Sequence, residues 1–203
     1  MNREFFEYWQ KRIKDKNKFQ TIKYRDINGK YLEEKDPFFN NISKAIHKKG
    51  QISKDDLVAI YTWKTKRWSK NIDENLNNIK DISKILLSSD TSLSDKLDKL
   101  TETKGVGIPR ASAVLTVIYP KKYCIVDFWA WHGLLTLLRG KYNDSEYLKA
   151  LNYYKNYLSS KESYYFYLKQ IKEIANDFGK TPRIIELILF TFAQNITKKI
   201  NED

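Results

Sequence analysis

Only seven glycines and four prolines interrupt these 203 residues. Inside a helix glycine costs about 1 kcal/mol and proline about 3 kcal/mol relative to alanine. A chain so short of both is free to form long helices, and its few breakers mark where they stop. Asp36 as N-cap with Pro37 behind it opens one helix, Gly50 closes it, and Phe38, Phe39, Ile42 and Ile46 share a face. Ser53 with Asp56 has capping-box spacing ahead of Leu57, Ile60 and Tyr61. Ile72, Leu76, Ile79 and Leu86 mark another helix, and Leu93, Leu97 and Leu100 form one stripe of a short one. Thr181-Pro182 opens a long last helix just after Gly179 closes its predecessor, with Ile185, Leu189 and Phe192 as its stripe. Only Tyr24 to Lys35, around the turn pair Asn28-Gly29, reads as a loop or a small hairpin. The expected class is all-α, one helical domain over 1–203.

Charge narrows the partners. Lys and Arg total 37 against 25 Asp and Glu, a formal net charge of +12. A surface this basic attracts polyanions, DNA or RNA first and an anionic membrane second; a lysine-rich composition with no functional meaning is the alternative. Cys124 is the single cysteine, which excludes an intrachain disulfide and a CxxC metal pair and fits a reducing, cytoplasmic setting. No cofactor is expected. Met1 to Trp9 carries Arg3, Glu4 and Glu7 and does not read as a secretory leader. The most apolar run, Ile184 to Phe192, contains Glu186 and falls short of the ~20 residues of a membrane span.

Residues 93 to 119 carry the functional expectation. After the Leu93–Leu100 stripe comes Lys104-Gly105-Val106-Gly107, then Ile108-Pro109-Arg110-Ala111-Ser112-Ala113-Val114-Leu115. A tight hairpin between two helices calls for positive φ, which glycine adopts at little cost. The small Ala111 and Ala113 let the second helix approach the first. Such a turn presents backbone N–H groups at a helix N-terminus, and these bind phosphate oxygens without reading a base. Lys104 and Arg110 add charge to the same contact. An ordinary helix–helix turn inside a core is the plainer alternative. Turn carbonyls at Gly105 and Gly107 also offer a place for an alkali cation, with no other metal expected.

Gly105-Val106-Gly107 is followed by Ile125-Val126-Asp127-Phe128-Trp129-Ala130-Trp131-His132, with the acid twenty positions after Gly107. Together these resemble the helix-hairpin-helix DNA glycosylase superfamily, which includes endonuclease III, the 8-oxoguanine glycosylases and the alkyladenine glycosylases. The resemblance covers about residues 93 to 139. It implies a helical DNA-binding fold with a base pocket, in which the acid at position 127 stabilises positive charge on the sugar as the glycosidic bond breaks. Asp127 can equally be a plain N-cap of the helix that follows, and the two roles are compatible because a helix N-terminus favours a carboxylate. Bifunctional members carry a nucleophilic lysine two residues after the second glycine. Here that residue is Pro109, which has no amine for a Schiff base. The resemblance therefore implies a monofunctional glycosylase that uses water, acting on double-stranded DNA. A non-catalytic helix-hairpin-helix module in a repair, restriction or phage-defence complex is the alternative.

Trp131 lies one helical turn from Asp127 and faces roughly the same side, while Trp129 is about 200° round. Trp131, Trp129 and His132 are the candidate base pocket, with core packing of Trp131 as the competing reading. The stretch from Tyr61 to Trp68 interleaves Lys64, Lys66 and Arg67 with aromatics, a pattern that suits either a sugar–phosphate backbone or a solvated helix end. Arg183 and Glu186 have the spacing of an intrahelical pair, and Tyr164, Tyr165 and Tyr167 read as packing.

Overall fold

A computed structural model of the chain describes residues 3–17, 21–25, 31–35, 38–65, 76–141 and 144–200. The class is all-helical, with one short antiparallel pair as the exception among the described residues. In chain order the elements are α1 (Arg3–Asn17), β1 (Thr21–Arg25), β2 (Tyr31–Lys35), α2 (Phe38–Lys49), α3 (Lys54–Lys64), a 3-10 turn (Leu76–Asn78), α4 (Ile79–Leu87), α5 (Leu93–Thr101) and α6 (Ile108–Ile118). They continue with α7 (Phe128–Lys141), α8 (Asp144–Lys155), α9 (Lys161–Asp177) and α10 (Pro182–Ile200). Strands β1 and β2 pair with Thr21 opposite Lys35 and Arg25 opposite Tyr31. The turn residues Asn28 and Gly29, the cap Asp36-Pro37, and Ile72 lie outside the described residues.

One helical domain is the expectation from sequence; by contacts the chain groups into two compact units. One is continuous, Phe19–Pro120. The other joins Met1–Lys18 to Lys121–Asp203.

The continuous unit is built where the caps lie. Ser53 accepts from the Asp56 N–H, and the Asp56 carboxylate accepts from the Ser53 N–H at 2.9 Å, closing the capping box of α3. Two of the orphan N–H groups at that helix start are thereby satisfied. Ser92 caps α5 in the same way, accepting from the Asp95 N–H. The apolar stripes then meet: Ile46, Leu57, Val58, Ile60, Leu86, Leu97, Leu100, Val114 and Leu115 are fully enclosed. At roughly 25 cal/mol per Å² of apolar surface removed from water, this burial is the main stabilising term.

The discontinuous unit packs α7 against α10. A Cβ added at Gly133 would overlap the carbonyl oxygen of Leu189 and lie 2.9 Å from its carbonyl carbon. Only glycine permits that approach. Helix α1 closes on α10 through Phe5 and Trp9, whose rings stand 4.9 Å and 5.6 Å from Phe192 in edge-to-face geometry. Gly179, at φ +59°, ends α9, and the Lys180 N–H returns to the Ala175 carbonyl at 2.8 Å, as a glycine cap does. No helix among the described residues is long and apolar enough to cross a membrane.

Candidate nucleic-acid interface and carboxylate site

In the continuous unit, α5 and α6 form the hairpin. Its turn is stitched by Thr103 N–H to the Leu100 carbonyl at 3.3 Å and Val106 N–H to the Thr103 carbonyl at 2.9 Å. Gly105 takes φ +86°, the left-handed conformation that disfavours any side chain. Gly107 is different: it is the N-cap of α6 at φ −91°, ψ 178°, extended backbone open to any residue. One glycine of the pair is therefore demanded by the bend and the other is not. Val106 and Ile108 point inward and are buried, while Lys104, Gly105 and Gly107 are exposed. Ala111 and Ala113 are fully enclosed, as close helix packing requires.

The start of α6 leaves backbone donors that the helix itself does not use. Arg110 and Ala111 are the first residues to donate back, both to the Gly107 carbonyl at 3.1 and 3.0 Å. The N–H groups of Gly107 and Ile108 find no backbone acceptor among the described residues. Pro109 sits where a helix N–H would be an orphan in any case. Lys104 lies exposed beside these groups. Arg110 is half-buried and turns back, donating from its guanidinium to the Gly105 carbonyl. That carbonyl, which the sequence offers to an alkali cation, thus already faces a fixed positive charge. Burial lowers the Arg110 pKa. Lys64 is half-buried at the last residue of α3; Lys66 and Arg67 lie outside the described residues.

In the discontinuous unit, Asp127 directly precedes α7. Its Oδ1 accepts from the Trp129 N–H at 3.0 Å, and its carbonyl accepts from the Trp131 N–H at 2.9 Å. The acid is therefore a helix cap, partly exposed and held against the positive end of α7. Trp131 is fully enclosed, stacked on Tyr167 with ring centroids 4.8 Å apart and planes 16° apart. It offers no open face to a ligand, and the core reading of this residue is the correct one.

The accessible rings beside the acid are others. Phe128 is 42% exposed, the largest exposure of any aromatic in this stretch. His132, Tyr154, Tyr157 and Trp129 are half-buried. His132 Nε2 shares a 2.9 Å hydrogen bond with the Tyr154 hydroxyl, and the His132 and Phe128 ring centroids lie 4.4 Å apart. Tyr154 and Tyr157 stack at 5.3 Å, only 3° from parallel. Burial lowers the His132 pKa. Burial, and then the nearby Asp127 carboxylate, raise the Tyr157 phenol. Tyr154, on α8, and Tyr157, in the turn just after it, could be found from sequence only by knowing how α8 and that turn meet α7.

The segment entering Asp127 is anchored from below. Glu186, 2% exposed and paired with Arg183, accepts from the Ile125 N–H at 3.3 Å. The Tyr164 hydroxyl donates to the Cys124 carbonyl at 3.0 Å, and the Tyr167 hydroxyl donates to the Ile125 carbonyl at 3.3 Å. Cys124 is buried and its thiol is pushed up, first by burial and then by Glu186, so it stays protonated and unreactive. Among the described residues no group of three or more His, Cys, Asp or Glu could hold a metal ion.

Compared with family models, curated proteins and solved structures, the chain matches none.

Proposed function

We propose that this chain binds double-stranded DNA through the Lys104–Gly107 turn and is a monofunctional DNA N-glycosylase acting through Asp127. Phosphate contact is supported by the exposed turn, by the N–H of the exposed Gly107, which no backbone acceptor among the described residues takes, and by the exposed Lys104. The +12 net charge supplies long-range attraction. The observation that carries the catalytic part is the carboxylate itself. Asp127 is partly exposed, fixed by the Trp129 N–H, and bordered by half-open aromatic rings.

The chemistry follows from that arrangement. As the bond from sugar C1′ to the base nitrogen breaks, its electron pair leaves with the base and positive charge develops on the sugar. A fixed carboxylate stabilises that charge more than it stabilises the neutral ground state, which is what lowers a barrier. Water then adds at C1′ and loses a proton. Phe128, Tyr154 and Tyr157 provide the faces on which an extruded base would stack, in place of Trp131. Pro109 gives no amine, so no Schiff base forms and the product is an intact abasic site.

The test uses duplexes carrying a panel of modified bases, followed by alkali to cleave abasic sites. Base release by the natural chain and its loss in Asp127→Asn is the expected result. Release unaffected by Asp127→Asn would remove Asp127 from the mechanism. Pro109 also favours a second reading, a binding module without catalysis. Salt-sensitive DNA binding with no abasic product on any duplex would establish that reading instead.

A further inference from the structure

We infer that Glu186, Tyr164 and Tyr167 form a positioning frame for Asp127, holding the backbone that delivers the acid to its site. The inference rests on the glycosylase reading for its meaning, though not for its test.

Residues 123–127 have no regular secondary structure, yet Cys124, Ile125 and Val126 are buried. Their peptide groups cannot use a helix or sheet ladder, and a buried peptide group without a partner is costly. Three side chains from distant positions supply partners, across 61, 40 and 42 residues of sequence. Ile125 is gripped on both sides: its N–H by Glu186 and its carbonyl by Tyr167. The two peptide planes on either side of Ile125 are thereby set, two residues ahead of Asp127, and they direct the chain toward α7.

Tyr167 also acts beyond the acid. Its ring stacks on Trp131, one turn into α7. A single residue of α9 thus holds the chain before Asp127 and after it. Burial raises both phenols, so they remain donors across ordinary pH.

Stability alone does not explain the choice of residues. A buried ion pair such as Arg183–Glu186 contributes little net stability, because desolvation offsets the attraction, and apolar replacements are often as stable. What such groups provide is one fixed orientation. In catalysis a displacement of about 1 Å can cost about a hundredfold in rate, and a frame that prevents it has value that a core of leucines lacks.

The test is the full chain carrying Tyr164→Phe with Tyr167→Phe, which removes both hydroxyls and keeps the rings and the Trp131 stack. Amide hydrogen exchange at Trp129, whose N–H reports on the Asp127 carboxylate, should accelerate about tenfold relative to amides of α9. Unchanged exchange at Ile125 and Trp129 would overturn the frame. In single-turnover base release the rate should fall about ten- to a hundredfold with DNA affinity unchanged. A rate and an affinity that fall together, in step with the unfolded fraction, would mean a merely structural role and would also overturn it. Glu186→Gln keeps an acceptor for Ile125 and should retain most of the rate that Glu186→Ala loses; equal defects would strike Glu186 from the frame. If the double variant does not fold, Tyr167→Phe alone carries the same readouts. Should the natural chain release no base at all, the glycosylase reading fails, and the exchange measurement still decides the frame.

Discussion

The indole of Trp131 lies 4.8 Å from the ring of Tyr167 and nearly parallel to it, and this one of the two tryptophans of α7 is fully enclosed. Trp131→Ala removes a fully enclosed side chain and should cost about 3–5 kcal/mol in urea unfolding followed by circular dichroism. The indole N–H finds no acceptor among the described residues, so Trp131→Phe discards an unsatisfied donor along with some volume. It should cost about 1–2 kcal/mol, well under the alanine value. Equal losses for the two variants would mean that the indole N–H has an acceptor after all.

Gly133 and Gly179 make a contrast. Gly133 meets the Leu189 backbone, while a Cβ at Gly179 would meet nothing within 4 Å. Gly133→Ala forces α7 and α10 apart and should cost about 1–3 kcal/mol or more. Gly179→Ala suffers only left-handed strain, about 1–2 kcal/mol. The two differ in kind: a cavity-making Leu189→Ala changes nothing for Gly133→Ala, because the obstacle is main chain. Thermal melts of the single and double variants check this, and rescue by Leu189→Ala would count against it.

DNA affinity should separate Lys104 from Arg110. Lys104 is exposed, so Lys104→Ala should lower the slope of log K against log salt by about one and leave the melting temperature alone. Arg110 donates to the Gly105 carbonyl, so Arg110→Ala should also cost about 1–2 kcal/mol of stability. Fluorescence-anisotropy titrations at several salt concentrations, with parallel melts, read both effects. A stability loss confined to Lys104→Ala would reverse the assignment.

Pro109 stands at the position where lyase members of the resembling family carry lysine. Borohydride should trap no covalent DNA adduct with the natural chain. Pro109→Lys is tolerable in the first turn of α6, and gel-resolved trapping should then appear if the reaction proceeds as proposed. An adduct with the natural chain would point to another amine and refute the water mechanism.

His132 gives a pH dependence of known sign. Burial lowers its folded pKa below 6.5, so the unfolded chain takes up the proton first as pH falls. The stability tied to neutral His132 is present above about pH 6.5 and declines as pH drops through the folded value. Histidine proton resonances should titrate with a midpoint below 6.5, and His132→Phe should flatten the fall in melting temperature between about pH 7 and 5. A midpoint above 6.5 would contradict the packing against Phe128 and Tyr154.

Local signals in the sequence carry the local structure well. Ser53 and Asp56 cap α3 as their spacing implies, Gly179 ends α9, Arg183 pairs with Glu186, and the bend at Gly105 stands exposed. Each of these depends on residues within a turn of one another. The site's support does not. Nothing near Ile125 in the sequence points to Glu186 or Tyr167, because their partnership exists only once α7, α9 and α10 have packed. Trp131 shows the same limit: i, i+4 spacing fixes which side of α7 it shares with Asp127, but not that this side faces the core. The acid escapes burial only because it lies at the end of the helix.

Because the unit holding Asp127 is assembled from both flanks of the other, it has a schedule. On a ribosome, Phe19–Pro120 emerges in one piece and can collapse at once. Phe5 and Trp9 must wait for Phe192 to be translated before they find their rings. The hairpin can therefore form before the carboxylate acquires its surroundings, which wait for Tyr167 and Glu186.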